Sequence, residues 1–156
     1  MKLIIQSILV ATLATLVACG SSPDSVGNDT AYASNSTARK AADNARDMVG
    51  KPYKYGGNSP SGFDCSGLVQ YSYSRAGLPI PRTTKSQRQS GAAVSSQSLR
   101  AGDLLFFNQE GRKFSHVGIY IGSGKFVHAP SSGKRVRVDK LSARYWKTHF
   151  AGARRI

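Results

Sequence analysis

Two cysteines and three histidines are the side chains of this 156-residue sequence best suited to nucleophilic or metal chemistry. Cys65 stands in Gly62-Phe63-Asp64-Cys65-Ser66-Gly67-Leu68-Val69-Gln70-Tyr71, where a Gly/Pro/Ser-rich loop turns into a helical pattern. Leu68, Val69, Ser72, Tyr73 and Ala76 recur at the three-and-four spacing of one helix face, and Gly77 and Pro79 supply the stop. This spacing predicts Cys65 in or just before a first helical turn. Unpaired N–H groups and the helix dipole favour an anion there, so the thiol is expected to ionise more readily than a free one. The competing reading is a small buried hydrophobe.

A thiol nucleophile needs a base, and the base needs a group that orients it. His116 opens the strand pattern His116-Val117-Gly118-Ile119-Tyr120-Ile121, and His128 lies near the end of Phe126-Val127-His128-Ala129. Gly122-Ser123-Gly124-Lys125 between them is a turn signal, so the two segments are expected to form a hairpin. Positions 118 and 128, or 116 and 130, then come roughly opposite one another, and both histidines share a parity and a face. The expected arrangement is a Cys65 thiolate, a His116 imidazolium, and His128 accepting from the other nitrogen of His116. His149, beside Lys147 and Thr148, reads as surface. Zinc on Cys65 and two histidines is the rival chemistry. The close ligand spacings of zinc sites and an accompanying carboxylate are both missing, so no metal is expected.

The elements that must hold these residues follow an α-then-β order. Thr37 is a candidate cap for a helix whose face carries Ala38, Ala41, Ala42, Ala45, Met48 and Val49, with Gly50 at its end. The loop Lys51 to Gly57 carries Tyr53 and Tyr55, and a short helix is expected around Thr84 to Gln89. Strands are expected at Gly102–Phe107, at the two hairpin arms, at Val136–Asp139 and at Phe150–Ile156. A turn or single helical turn separates the last two, at Leu141–Trp146. The fold class is therefore α+β: N-terminal helices packed on a mostly antiparallel sheet of about five or six strands.

The N-terminus has a different texture. Met1-Lys2 precedes an apolar run from Leu3 to Ala18, too short for a span and ending in small residues, which reads as a secretory signal over residues 1–18. Leu16-Val17-Ala18-Cys19-Gly20 resembles a bacterial lipobox, implying cleavage before Cys19 and lipid on that residue. The alternative is an ordinary secreted protein cut nearby. Because Gly20 is not acidic, the resemblance points to the periplasmic face of the outer membrane of a Gram-negative bacterium. Residues 19–36, poor in large apolar side chains, read as a flexible linker, and 37–156 as the folded domain. A lipidated Cys19 leaves Cys65 without a disulfide partner in an oxidising compartment, which favours a reactive role. The formal net charge of +14 calls for acidic partners. Export argues against nucleic acid, leaving anionic lipid or a carboxylate-bearing polymer.

As a set, these motifs resemble the NlpC-type cell-wall cysteine peptidases. The likeness runs from about Ala41 to Ile156. It takes in Gly50-Lys51-Pro52-Tyr53-Lys54-Tyr55-Gly56-Gly57, Phe63-Asp64-Cys65-Ser66-Gly67-Leu68-Val69 and Pro81-Arg82-Thr83-Thr84. Further along it includes Gly102 to Phe107, His116 to Gly122, Phe126 to Ala129, Tyr145-Trp146 and Phe150 to Arg155. The resemblance implies a papain-like fold with Cys65 as nucleophile, His116 as general base and acid, and His128 as the polar third member. It also implies Tyr53 near the thiolate as an oxyanion donor beside the Cys65 N–H, and Asp64 and Ser66 as substrate-contacting neighbours, although Asp64 could equally be only a helix cap. The function implied is a lipid-anchored murein endopeptidase working through a thioester on peptidoglycan stem peptides, as a monomer and without a cofactor. Two other readings are a non-catalytic wall-binding lipoprotein on the same fold and an enzyme transferring acyl groups to lipid.

Overall fold

The computed structural model describes residues 26–156, with the side chains of the first helix described from Asn35 onward. The signal segment, Cys19 and the first part of the expected linker lie outside the described residues. Helix α1 runs Val26–Asp47, so it begins well before Thr37, and residues 26–36 of the expected linker are helical. Thr37 is interior to the helix and not its cap. The packed half explains the extension. Ala38, Ala41, Ala42 and Ala45 are buried, and a helix nucleated by that packing propagates outward at little cost even without an apolar face. The chain leaves α1 through Gly50 at φ +88°, and Val49, expected on the apolar face, is exposed beyond the helix end.

A two-residue hairpin, β1 (Asn58–Ser59) with β2 (Gly62–Phe63), then leads into helix α2, Cys65–Arg75. The Asp64 carboxylate caps α2 by accepting from the Gly67 N–H, so Cys65 is the first helical residue. Leu68, Val69, Ser72 and Tyr73 are buried as their spacing requires, and the Tyr73 hydroxyl donates to the Gly102 carbonyl at 2.7 Å. Helix α3 is Thr84–Gln89, capped by Thr83.

The remaining strands are β3 (Ala92–Val94), β4 (Leu104–Gln109), β5 (Arg112–Gly122), β6 (Lys125–His128), β7 (Arg137–Lys140) and β8 (Phe150–Arg155). They form one six-stranded antiparallel sheet in the order β3-β8-β4-β5-β6-β7. The edge strand β3 and the β1–β2 hairpin were not expected; both are too short to show a period. Helix α4, Arg144–His149, begins inside the segment expected as a turn or single helical turn, Leu141–Trp146, and runs three residues beyond it.

Strand alternation separates two cores. Leu104, Phe106, Val117, Ile119 and Val127 meet α1 and α2 on one face. Leu105, Phe107 and Phe126 meet Trp146 of α4 on the other. Phe107 is directly opposite His116, and Ile119 is paired with Val127, so His116 and His128 lie on the Trp146 face as the hairpin parity requires. Gly118 stands between them. A Cβ there would come within 2.7 Å of the Phe126 ring and 3.2 Å of His128 Cβ, so only glycine leaves room for the histidine.

Candidate active site

Cys65 reaches the sheet from the tip of α2. It lines a groove of about 620 Å³ together with Tyr53, Asp64, Ser66, Arg82 and His116. The sequence separates these residues by up to 63 positions; the α2 tip, the Tyr53 loop and the start of β5 bring them together. Tyr53 is placed by a backbone bridge to Phe63, and its N–H donates to the Lys134 carbonyl.

The two histidines are brought within hydrogen-bond distance of each other. His116 Nε2 and His128 Nδ1 are 2.9 Å apart, and the residues are 2 % and 0 % exposed, so no water competes for that hydrogen bond. With Nε2 engaged, the free ring nitrogen of His116 is Nδ1. Behind the pair stands Asp139, absent from the sequence-based site: its Oδ2 is 3.0 Å from His128 Nε2 and also accepts from Trp146 Nε1 at 2.8 Å. Both rings also pack on the Trp146 indole, His116 stacked at 5.6 Å and His128 edge-on at 4.8 Å. His149 lies apart, stacked on Tyr145, with its Nδ1 bonded to the Tyr145 carbonyl.

Burial changes the electrostatics expected of the site. The thiol of Cys65 keeps an opening to the groove but is otherwise enclosed. Desolvation pushes its pKa up, against the lowering effect of the Thr84 hydroxyl and of the Val117 and Ser66 backbones. Desolvation, then the His128 charge, pushes His116 down to about 3. His128 is held down to about 4 by desolvation, against its bond to Asp139. Burial thus works against the charged form of both the thiol and the imidazole. The helix-start advantage expected for the thiolate is outweighed because a thiolate enclosed by protein loses more hydration than one helix end returns. The Tyr53 phenol is also raised, by desolvation first and then by Cys65, so it stays a donor.

Asp64 and Ser66 are used within the protein. Asp64 accepts from Gly67 N at 2.7 Å, from Gly56 N at 3.0 Å and from both terminal nitrogens of Arg82, and Arg82 also donates to Ser66 Oγ at 2.9 Å. The carboxylate thus caps α2 and fixes the Gly56 loop and Arg82 around Cys65. Sequence reasoning gave no role to Arg82, Thr84 or Asp139. The first two sat in a quoted motif, whereas Asp139 is the polar end of a short strand whose register only pairing reveals. Among the described residues no group of three or more His, Cys, Asp or Glu side chains is arranged so that it could hold a metal ion.

A papain-like α+β fold, with a thiol at a helix start sharing a groove with a histidine that is backed by a second, buried one, defines the class. Residues 50–155 match the NlpC/P60 family, to which the chain belongs. It is 44% identical over 114 residues to the murein DD-endopeptidase MepH of Escherichia coli, covering 70% of this chain and 42% of that protein. It is also 42% identical over 110 residues to the bifunctional muramidase/DL-endopeptidase CwlT of Bacillus subtilis, covering 69% of this chain and 33% of that one. The chain thus spans less than half the length of these relatives. Among solved structures, a Bacillus cereus NlpC/P60 protein superposes with a TM-score of 0.71 at 35% identity, over 76% of this chain and 39% of that one. The NlpC/p60 domain of the peptidoglycan hydrolase SagA does so with 0.66 at 34% identity, over 76% of this chain and 98% of that domain.

Proposed function

We propose that the protein is a lipid-anchored murein endopeptidase that hydrolyses amide bonds of peptidoglycan stem peptides or cross-links. The observation that carries this is that Cys65 shares a groove with His116, whose Nε2 is 2.9 Å from the buried His128. His116 Nδ1 takes the thiol proton as Cys65 Sγ adds to the amide carbonyl carbon. The oxyanion that forms is held by the Cys65 N–H, which as the first helical amide has no intrahelical acceptor, and by the Tyr53 hydroxyl. His116 then gives its proton to the departing amine nitrogen, the C–N bond breaks, and a thioester remains. Water attacks the thioester with its proton passing to His116, the carboxylic acid leaves, and the proton returns to sulfur. The relatives named murein and DL-endopeptidases support this substrate class.

Lipid on Cys19 would hold the domain at the outer membrane facing the wall, and the basic surface suits a carboxylate-bearing polymer. Purified sacculi treated with wild type and with Cys65→Ala decide the activity. Wild type is expected to release muropeptides that the variant does not; identical products from both would remove the endopeptidase reading, and wall binding with no products would favour a scaffold. Incorporation of labelled palmitate that is lost in Cys19→Ala tests the anchor.

A further inference from the structure

We propose that Asp139 is a positioning residue that sets the direction of the hydrogen bonds running from the edge strand β7 to His116, which shares the groove with Cys65. It deepens, and rests on, the reading of Cys65 as nucleophile and His116 as base. An ionised carboxylate has lone pairs and no proton to give. At 3.0 Å from Asp139 Oδ2, His128 Nε2 must therefore carry the hydrogen, which leaves His128 Nδ1 with a lone pair. That lone pair is 2.9 Å from His116 Nε2, so His116 must donate through Nε2. The remaining nitrogen of His116, Nδ1, then holds the lone pair a base requires. One acceptor at the end of the chain selects the tautomer of two buried imidazoles and gives the correct one to the residue facing Cys65.

The surroundings keep Asp139 in that role. Burial works to raise its pKa, but the hydrogen bonds from His128, Trp146 and Arg137 outweigh it and hold the carboxyl below its ordinary value. Arg137 donates to Oδ2 through Nε at 3.1 Å and Nη2 at 2.9 Å, and Trp146 through Nε1 at 2.8 Å. The pairing of β6 with β7 sets Asp139 across from Phe126, diagonal to His128 on the same sheet face. Trp146, which donates to the carboxylate, also packs against both imidazoles, so ring positions and proton positions are set by one cluster.

Long-range proton–nitrogen correlation spectra of the full-length, nitrogen-15-labelled protein test the proposal directly. In wild type, both His116 and His128 are expected as Nε2–H tautomers; a His128 Nδ1–H tautomer would overturn the proposal without any variant. In Asp139→Asn the amide can donate to His128 Nε2 and reverse the chain, leaving His116 protonated on Nδ1. That variant is expected to lose at least tenfold in kcat on soluble muropeptides, with KM within twofold of wild type and thermal stability close to it. Unchanged tautomers and kcat in Asp139→Asn would overturn it. Inactivity of the wild type itself would sink the endopeptidase reading, while the wild-type spectrum still decides the hydrogen-bond direction.

Discussion

The surroundings of Cys65 and His116 both work against the charged form of the side chain. Because burial raises the thiol and lowers the imidazole, thiolate at neutral pH is scarcer than in a free cysteine. Alkylation of the substrate-free protein by iodoacetamide is therefore expected to be slow at pH 7 and to climb only through the alkaline range. A rate already at its plateau near pH 6 would instead reveal a preformed ion pair. In the proposed reaction the acyl-transfer step depends on donors to the developing oxyanion, the Tyr53 hydroxyl among them. Replacing Tyr53 by Phe removes one and should lower kcat about a hundredfold, as loss of an oxyanion donor does elsewhere. A Tyr53→Phe enzyme with the wild-type rate would exclude the phenol from that role. These residue types were legible from the sequence: a lone thiol, a hairpin with two histidines, and a tyrosine in a permissive loop. The sign of the thiol shift was not, because desolvation depends on everything packed around the sulfur.

At the scale of elements, the site depends on how closely α2 approaches the loop before it. A Cβ on Gly67 would lie 2.0 Å from the Gly57 carbonyl oxygen, and backbone cannot swing aside as a side chain can. Gly67→Ala is expected to lower stability by about 1–3 kcal/mol, the cost of overpacking, in urea unfolding. Activity should fall further than stability alone explains, because the α2 tip carries Cys65. A variant as stable as wild type would show that the loop yields freely. The α2 boundaries, Gly77 at its end and the β5–β6 hairpin were readable from spacing and turn residues. The start of α1 was not, since residues 26–36 carry no apolar period and their helix is an extension of a packed one.

For the whole molecule, the buried histidine pair ties folding to acidity. Both histidines have folded-state pKa values depressed from the usual 6.5, to about 3 and about 4. The unfolded chain therefore binds protons that the folded one refuses, and stability falls as pH drops from 6.5 toward 4. Above 6.5 both states are neutral at these sites and the effect vanishes. The unfolding free energy from urea titrations is expected to decline by about 2 kcal/mol per pH unit through that window. A flat profile from pH 6.5 to 4.5 would mean the pair accepts a proton while folded. Among the described residues no helix is long and apolar enough to cross a membrane.

The sequence alone carried the chemistry's ingredients and most of the scaffold, because periodicity, caps and turn residues act over a few neighbours. Cys65 at a helix start, His116 and His128 on one face of a hairpin, and the helices-then-strands order all follow from such local rules. The folded chain was needed for what depends on distant segments meeting. It placed Asp139 of β7 behind His128, committed Asp64 to Arg82 and the cap of α2, and enclosed the thiol so that burial outweighed the helix end. Strand register and desolvation are properties of the assembled core, and no spacing along the chain encodes them.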